Sequence, residues 1–88
     1  MNTKHEIQVS DTKDRTGKKI SICRTLEIAL AHLLGLPKGQ VKAFKGTNNI
    51  HIVTVIKNEL HHFVIHSYYI SVYEDQLEDI VEQIRKFF

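Results

Sequence analysis

Residues 58–73, NELHHFVIHSYYISVY, gather three of the chain's six histidines and all three of its tyrosines among strand-forming residues. Imidazoles can ligate a metal ion or move protons in RNA cleavage. Phenol rings can stack on bases or anchor a protein contact. Spacing decides which of these chemistries is open. A tight reversal at Asn58-Glu59 would set Ile52 opposite Ile65, Thr54 opposite Phe63 and Ile56 opposite His61. On the other face it would pair Val53 with Val64, Val55 with His62 and His51 with His66. Opposed Cβ atoms lie ~4.5–5.5 Å apart, so His51 and His66 could share a zinc ion. His62 is about 13 Å along the strand from His66 and cannot join them. A structural zinc site needs four ligands, and Cys23 stands without a CxxC or HxxH companion. Neither a metal site nor a cofactor is expected.

Catalytic constellations are equally sparse. FKGTNN at 44–49 has one glycine and lacks the G-x-x-x-x-G-K-[ST] frame that cradles phosphates, so it reads as a turn. Cys23 has no local activating group and reads as a small apolar filler. The carboxylates of 74–82 fall on the flank of a helix at spacings that face solvent. Acid–base catalysis by one of the scattered histidines is the third option for function, behind two binding roles.

The elements that must position these residues follow from periodicity. Ile7 and Val9 alternate with polar neighbours, as do Ile20 and Ile22, and DTKDRTG at 11–17 is a polar break. Residues 5–23 therefore read as a β-hairpin. Leu26, Ile28, Ala29, Leu30, Leu33 and Leu34 recur at helical spacing, with Thr25 as the expected N-cap and Gly35 and Pro37 as the stop. Short strands are expected over 40–45 and 50–57, and a long one from Leu60 to about Val72. EDQLEDIVEQIRKFF closes the chain as an amphipathic helix with Leu77, Ile80, Val81, Ile84 and Phe88 on its apolar side. The expected fold is α+β, in the order ββαβββα, an antiparallel sheet with both helices on one face. The whole of 1–88 is expected to form a single domain.

Composition narrows the classes further. With 42% hydrophobic and 25% charged residues the 88-residue chain has the make-up of a globular protein. One cysteine, no leader-like apolar run and no apolar stretch of about 20 residues suit a cytoplasmic protein off the membrane. The net charge of +2 conceals a polarity: residues 1–73 balance at +5 and residues 74–88 at −3.

The αβββα order from 25 to 88 resembles that of double-stranded-RNA-binding domains and HicA-type toxins. The resemblance implies lysines at the start of the final helix or a histidine just after a Gly-Ser step. Here those positions read YEDQLED and Gly46-Thr47-Asn48, with His51 the nearest histidine. The likeness is thus one of element order, which carries no activity by itself.

In the register above, Tyr68 and Tyr69 fall opposite Asn49 and Asn48, so Ile70 to Val72 outrun their partner strand. The apolar parity also changes, from Phe63 and Ile65 to Val64, Tyr68, Ile70 and Val72, so either a bulge near Ser67 re-aims the strand or both faces are covered in different places. An overhanging edge must pair with something, and the N-terminal strand at 6–10, a second copy of the chain or a foreign protein could supply the partner. The leading expectation is a small non-catalytic protein-binding module, an inhibitor or regulator of phage or plasmid type. It would dock through that edge with Tyr68, Tyr69, Tyr73, His62 and His66, and a homodimer is a variant of the same idea. The alternative is a nucleic-acid binder using Lys13, Arg15, Lys18, Lys19 and Arg24 around the first hairpin, with Lys38, Lys42 and Lys45 nearby.

Overall fold

The structure, a computed structural model, describes residues 3–9, 18–20, 24–66 and 72–88. Eight elements follow in order: β1 (Thr3–Gln8), β2 (Lys19–Ile20), α1 (Arg24–Leu34), β3 (Val41–Lys45), β4 (Asn49–Ile56), β5 (Glu59–His66), β6 (Val72–Tyr73) and α2 (Glu74–Arg85). The α+β class and the ordering of strands and helices hold. Four strands form one sheet in the order β1-β5-β4-β3, and β2 pairs with β6 separately.

Two expectations about pairing are overturned. β1 does not fold back on β2 as a hairpin; it joins β5 in parallel, from Thr3 opposite His61 to Gln8 opposite His66. The sheet is therefore mixed, with three antiparallel strands and one parallel edge. β2 instead pairs antiparallel with β6, Lys19 opposite Tyr73 and Ile20 opposite Val72. β5 is bonded to β4 on one side and, from His61 to His66, to β1 on the other, so residues 61–66 present no free edge. The bulge considered near Ser67, and Ile70 and Ser71 of the expected overhang, lie outside the described residues; its last residue, Val72, is no free edge, being buried and paired with Ile20 of β2.

The β4–β5 turn falls at Lys57-Asn58, not Asn58-Glu59, because Ile56 pairs with Glu59. Both turn residues have positive φ, 52° and 67°, the left-handed pair that a two-residue hairpin loop demands. A lysine there costs roughly 1–2 kcal/mol relative to glycine. Lys57→Gly is therefore expected to raise stability by about 1 kcal/mol, read as an upward shift of the urea midpoint.

Period-two alternation sends Ile50, Ile52, Thr54 and Ile56 to the same face as His61, Phe63 and Ile65, all buried. Ile7 and Val9 continue that face onto the β1 edge. Leu26, Leu30, Ala31 and Leu34 of α1 and Leu77, Ile80, Val81 and Ile84 of α2 cover it. Ile28 and Leu33, expected in the core, lie 44% and 38% exposed, and Ala31 takes the buried place instead. At the C-terminus Phe87 packs on the core while Phe88 is exposed, reversing the expectation.

Helix ends obey local chemistry. Gly35 at φ 71° closes α1 with Leu36 N–H donating to Ala31 O at 2.9 Å and Gly35 N–H to His32 O at 3.3 Å, a Schellman motif. Thr25 lies inside the first turn rather than at the cap, since α1 already includes Arg24. The Gln76 side chain reaches back to accept from the Tyr73 N–H at 3.2 Å, steadying the start of α2. Arg85 of α2 donates to the Leu33 carbonyl, tying the two helices together.

Candidate functional site

Both helices lie against one face of the four-stranded sheet, and among the described residues nothing packs across the other. The registers order that open face into rows running from β1 to β3. One row reads Lys4, His62, Val53, Lys42; the next Glu6, Val64, His51, Phe44; the third Gln8, His66, Asn49. Leu60 and Val55 pair at the turn end. Phe44, Val55 and Leu60 are 55%, 43% and 37% exposed, whereas Val64 on the same face is buried. The centre is thus apolar and imidazole-rich, with lysines at the ends of a row.

Two histidine pairs flank β5, one on each face. On the open face His51 Nδ1 and His62 Nε2 meet at 2.8 Å, with ring centroids 5.0 Å apart. On the helix-covered face His5 Nε2 and His61 Nδ1 also meet at 2.8 Å. His5 there lies 3.8 Å from the Phe87 ring and 4.8 Å from Phe63, centroid to centroid. Burial, and then the neighbouring His61, lowers the pKa of His5. Burial lowers that of His62 as well, followed by the charges of His51 and Lys4. A second positive charge between two hydrogen-bonded imidazoles is unfavourable, which adds to the effect of burial at His5 and at His62. His66 lies 3.8 Å from Glu6, and Glu59 lies 3.9 Å from the far nitrogen of His61.

The expected site residues therefore divide. His62 and His66 stand on the open face, but at different rows. His51 faces Val64, not His66, and reaches diagonally to His62. Tyr73 is half-buried at the start of α2, away from this face. Tyr68 and Tyr69 lie outside the described residues, as do Lys13 and Arg15. Of the basic set, Lys18, Lys19 and Arg24 are exposed. Arg24 helps line a shallow cleft of about 170 Å³ with Glu27, Ile28, Lys38, Gly39 and Lys42. Phe44, Val55 and Leu60 were not singled out by sequence; alternation through β3 and β4 carried the signal that they share a face with His51.

The true edges of the sheet are β1 and β3. On β3 the outward Ala43 N–H donates to Glu27 Oε2 of α1 at 2.7 Å, so a side chain blunts the edge. Glu27→Ala is expected to cost about 1–2 kcal/mol and to promote self-association through β3, seen as lower urea stability with added light scattering.

Among the described residues no three His, Cys, Asp or Glu side chains group as a metal site, and no helix is long and apolar enough to cross a membrane. Comparison with protein-family models, with curated proteins and with solved structures finds no match for this chain.

Proposed function

We propose that this chain is a non-catalytic protein-binding module that docks through its uncovered sheet face. One observation carries the reading: Phe44, Val55 and Leu60 stand 55%, 43% and 37% exposed on the face opposite both helices. Apolar and aromatic side chains with few charges are what the centre of a protein interface favours. Lys4 and Lys42 bound this surface, and Glu6 is the one acid among its rows. The occupant is accordingly a different protein with an apolar centre and carboxylates at its rim. A second copy would bring lysines to lysines. A module without catalytic groups acts in proportion to its amount, as inhibitors and regulators do.

A second reading rests on the exposed Lys18, Lys19 and Arg24 and on the cleft that Arg24, Lys38 and Lys42 line. Those cations suit a phosphate backbone, whose binding weakens steeply with salt.

The test is photo-crosslinking in the cell with p-benzoylphenylalanine at position 44 or 60, and at Leu33 on α1 as a comparison. Adducts to one acidic protein from 44 and 60 but not 33 are expected. Phe44→Glu with Leu60→Glu should then weaken that complex at least a hundredfold while leaving the thermal melt in place. Adducts of twice the chain mass would make the occupant a second copy. If the double variant binds normally while Lys18→Glu with Lys19→Glu abolishes a salt-sensitive complex with nucleic acid, the first reading is wrong.

A further inference from the structure

We infer that His51 and His62 form a chelate for a borderline divalent cation, Zn²⁺, Ni²⁺ or Cu²⁺, on the open face of the sheet. Nδ1 of one ring and Nε2 of the other face each other at 2.8 Å. Two imidazole nitrogens on a tetrahedral zinc stand about 3.3 Å apart, given Zn–N bonds of about 2.0–2.1 Å. Opening the pair by about half an ångström therefore admits the ion, a movement within reach of side-chain rotation alone. Imidazole suits these ions, and both rings belong to neighbouring strands of a bonded sheet, so the site is largely preformed.

A second, independent feature lies behind His51. Asn49 Oδ1 is buried and has no hydrogen-bond partner. It borders the space over Gly46, where an added Cβ would strike it and would approach His51 Nε2 to 3.1 Å. When Nδ1 of His51 binds the ion, the ring carries its proton on Nε2, on the side where the orphaned carbonyl waits. A ligating histidine ordinarily donates its other N–H to such an oxygen. The balance is simple. Of two neutral rings, the one donating the shared proton takes it up on its other nitrogen, so no proton is released. In acid each imidazolium must first lose one, and the ion is released.

The companion pair explains why only one is assigned. His5 and His61 meet at the same distance, but His61 is 6% exposed and His5 lies against Phe87, ring centroids 3.8 Å apart. That pair is the more enclosed of the two, since one of its rings is buried. His51 and His62 are both half-buried, so neither ring of that pair is shut off from solvent.

The probe is ZnCl₂ titrated into the whole chain, followed by the imidazole nitrogen shifts of all six histidines, with a Cu²⁺ arm read by paramagnetic broadening. One equivalent is expected to move His51 Nδ1 and His62 Nε2 first. Affinity should fall at least tenfold in His51→Gln and in His62→Gln, and likewise in the parent between pH 7.5 and pH 5. Asn49→Ala should weaken binding severalfold, and His66→Gln and His32→Gln should leave it unchanged. Amide dispersion shows that each variant is folded. Uniform shifts across the histidines, first binding elsewhere, or affinity unaltered in both folded glutamine variants would overturn the assignment. The assignment stands apart from the docking reading, since the titration needs no protein partner.

Discussion

Phe63→Ala is expected to lower the stability of the chain by about 3–5 kcal/mol. Phe63 is fully buried at the middle of β5, the strand on which both neighbours depend for pairing. Its backbone sits between His5 of β1 and Ile52 of β4, and its ring contacts His5 and Phe87. Truncation removes apolar burial and leaves a cavity that a bonded sheet cannot close. A domain of this size has roughly 5–15 kcal/mol in all, so the variant would retain little margin at 37 °C. Urea denaturation followed by circular dichroism measures the loss. Phe44→Ala, two strands away on the uncovered face, should change stability by no more than about 0.5 kcal/mol. A small effect from Phe63→Ala would mean that β5 is not the centre of the core.

The second large effect is loss of stability in acid. His5 and His62 both have pKa values lowered in the fold, chiefly by burial and then by the partner histidine. In the unfolded chain each titrates near the ordinary imidazole value of 6.5. As pH falls through about 6.5 the unfolded chain takes up protons that the fold resists, so the unfolded state binds more of them. The stabilisation is complete above that pH, declines as pH drops toward the lowered folded values, and levels off below them. Thermal melts from pH 8 to pH 4.5 should show the midpoint falling through this window. His5→Phe, which extends the ring cluster of Phe63 and Phe87 without a titrating group, should flatten the decline. His62→Gln should flatten it independently, because the two pairs lie on opposite faces. A midpoint that stayed level across the window in the parent chain would contradict the two-pair account.

Much of this architecture is readable from local pattern. The α1 stop at Gly35 and Pro37 is legible because a left-handed glycine followed by proline permits little else. The α2 stripe of Leu77, Ile80, Val81 and Ile84 is legible because one face of that helix is uniformly apolar. The β4–β5 hairpin is legible in kind but not in register. Asn58-Glu59 is the expected reversal, whereas the chain turns at Lys57-Asn58, with lysine in a conformation its type rarely adopts. The resulting slip is two residues, which preserves the faces: His51, His62 and His66 are correctly placed together opposite Ile52, Phe63 and Ile65. It misassigns partners, so the His51–His62 contact emerges only from the coordinates.

The parallel docking of β1 on β5 is illegible for a different reason. Alternation in Glu6 to Ser10 says that a strand is half-buried, not which of several strands it joins. Chain proximity favours the hairpin with Lys19 and Ile20. The stronger claim on β1 comes from the edge of β5, where Ile7 meets Ile65 and His5 meets Phe63. His5 carries no local sign of its role, since its partner His61 is 56 residues away.

The openness of one sheet face is the claim on which the docking proposal stands, and solvent access to its methyl groups measures it directly. A soluble gadolinium chelate added to methyl-labelled protein should strongly broaden Val55 and Leu60 and moderately broaden Val53, while Ile50, Ile52 and Ile65 stay sharp. Protection of Val55 and Leu60 equal to that of Ile52 in the isolated chain would mean that the face is already covered, and the proposed docking surface would not exist.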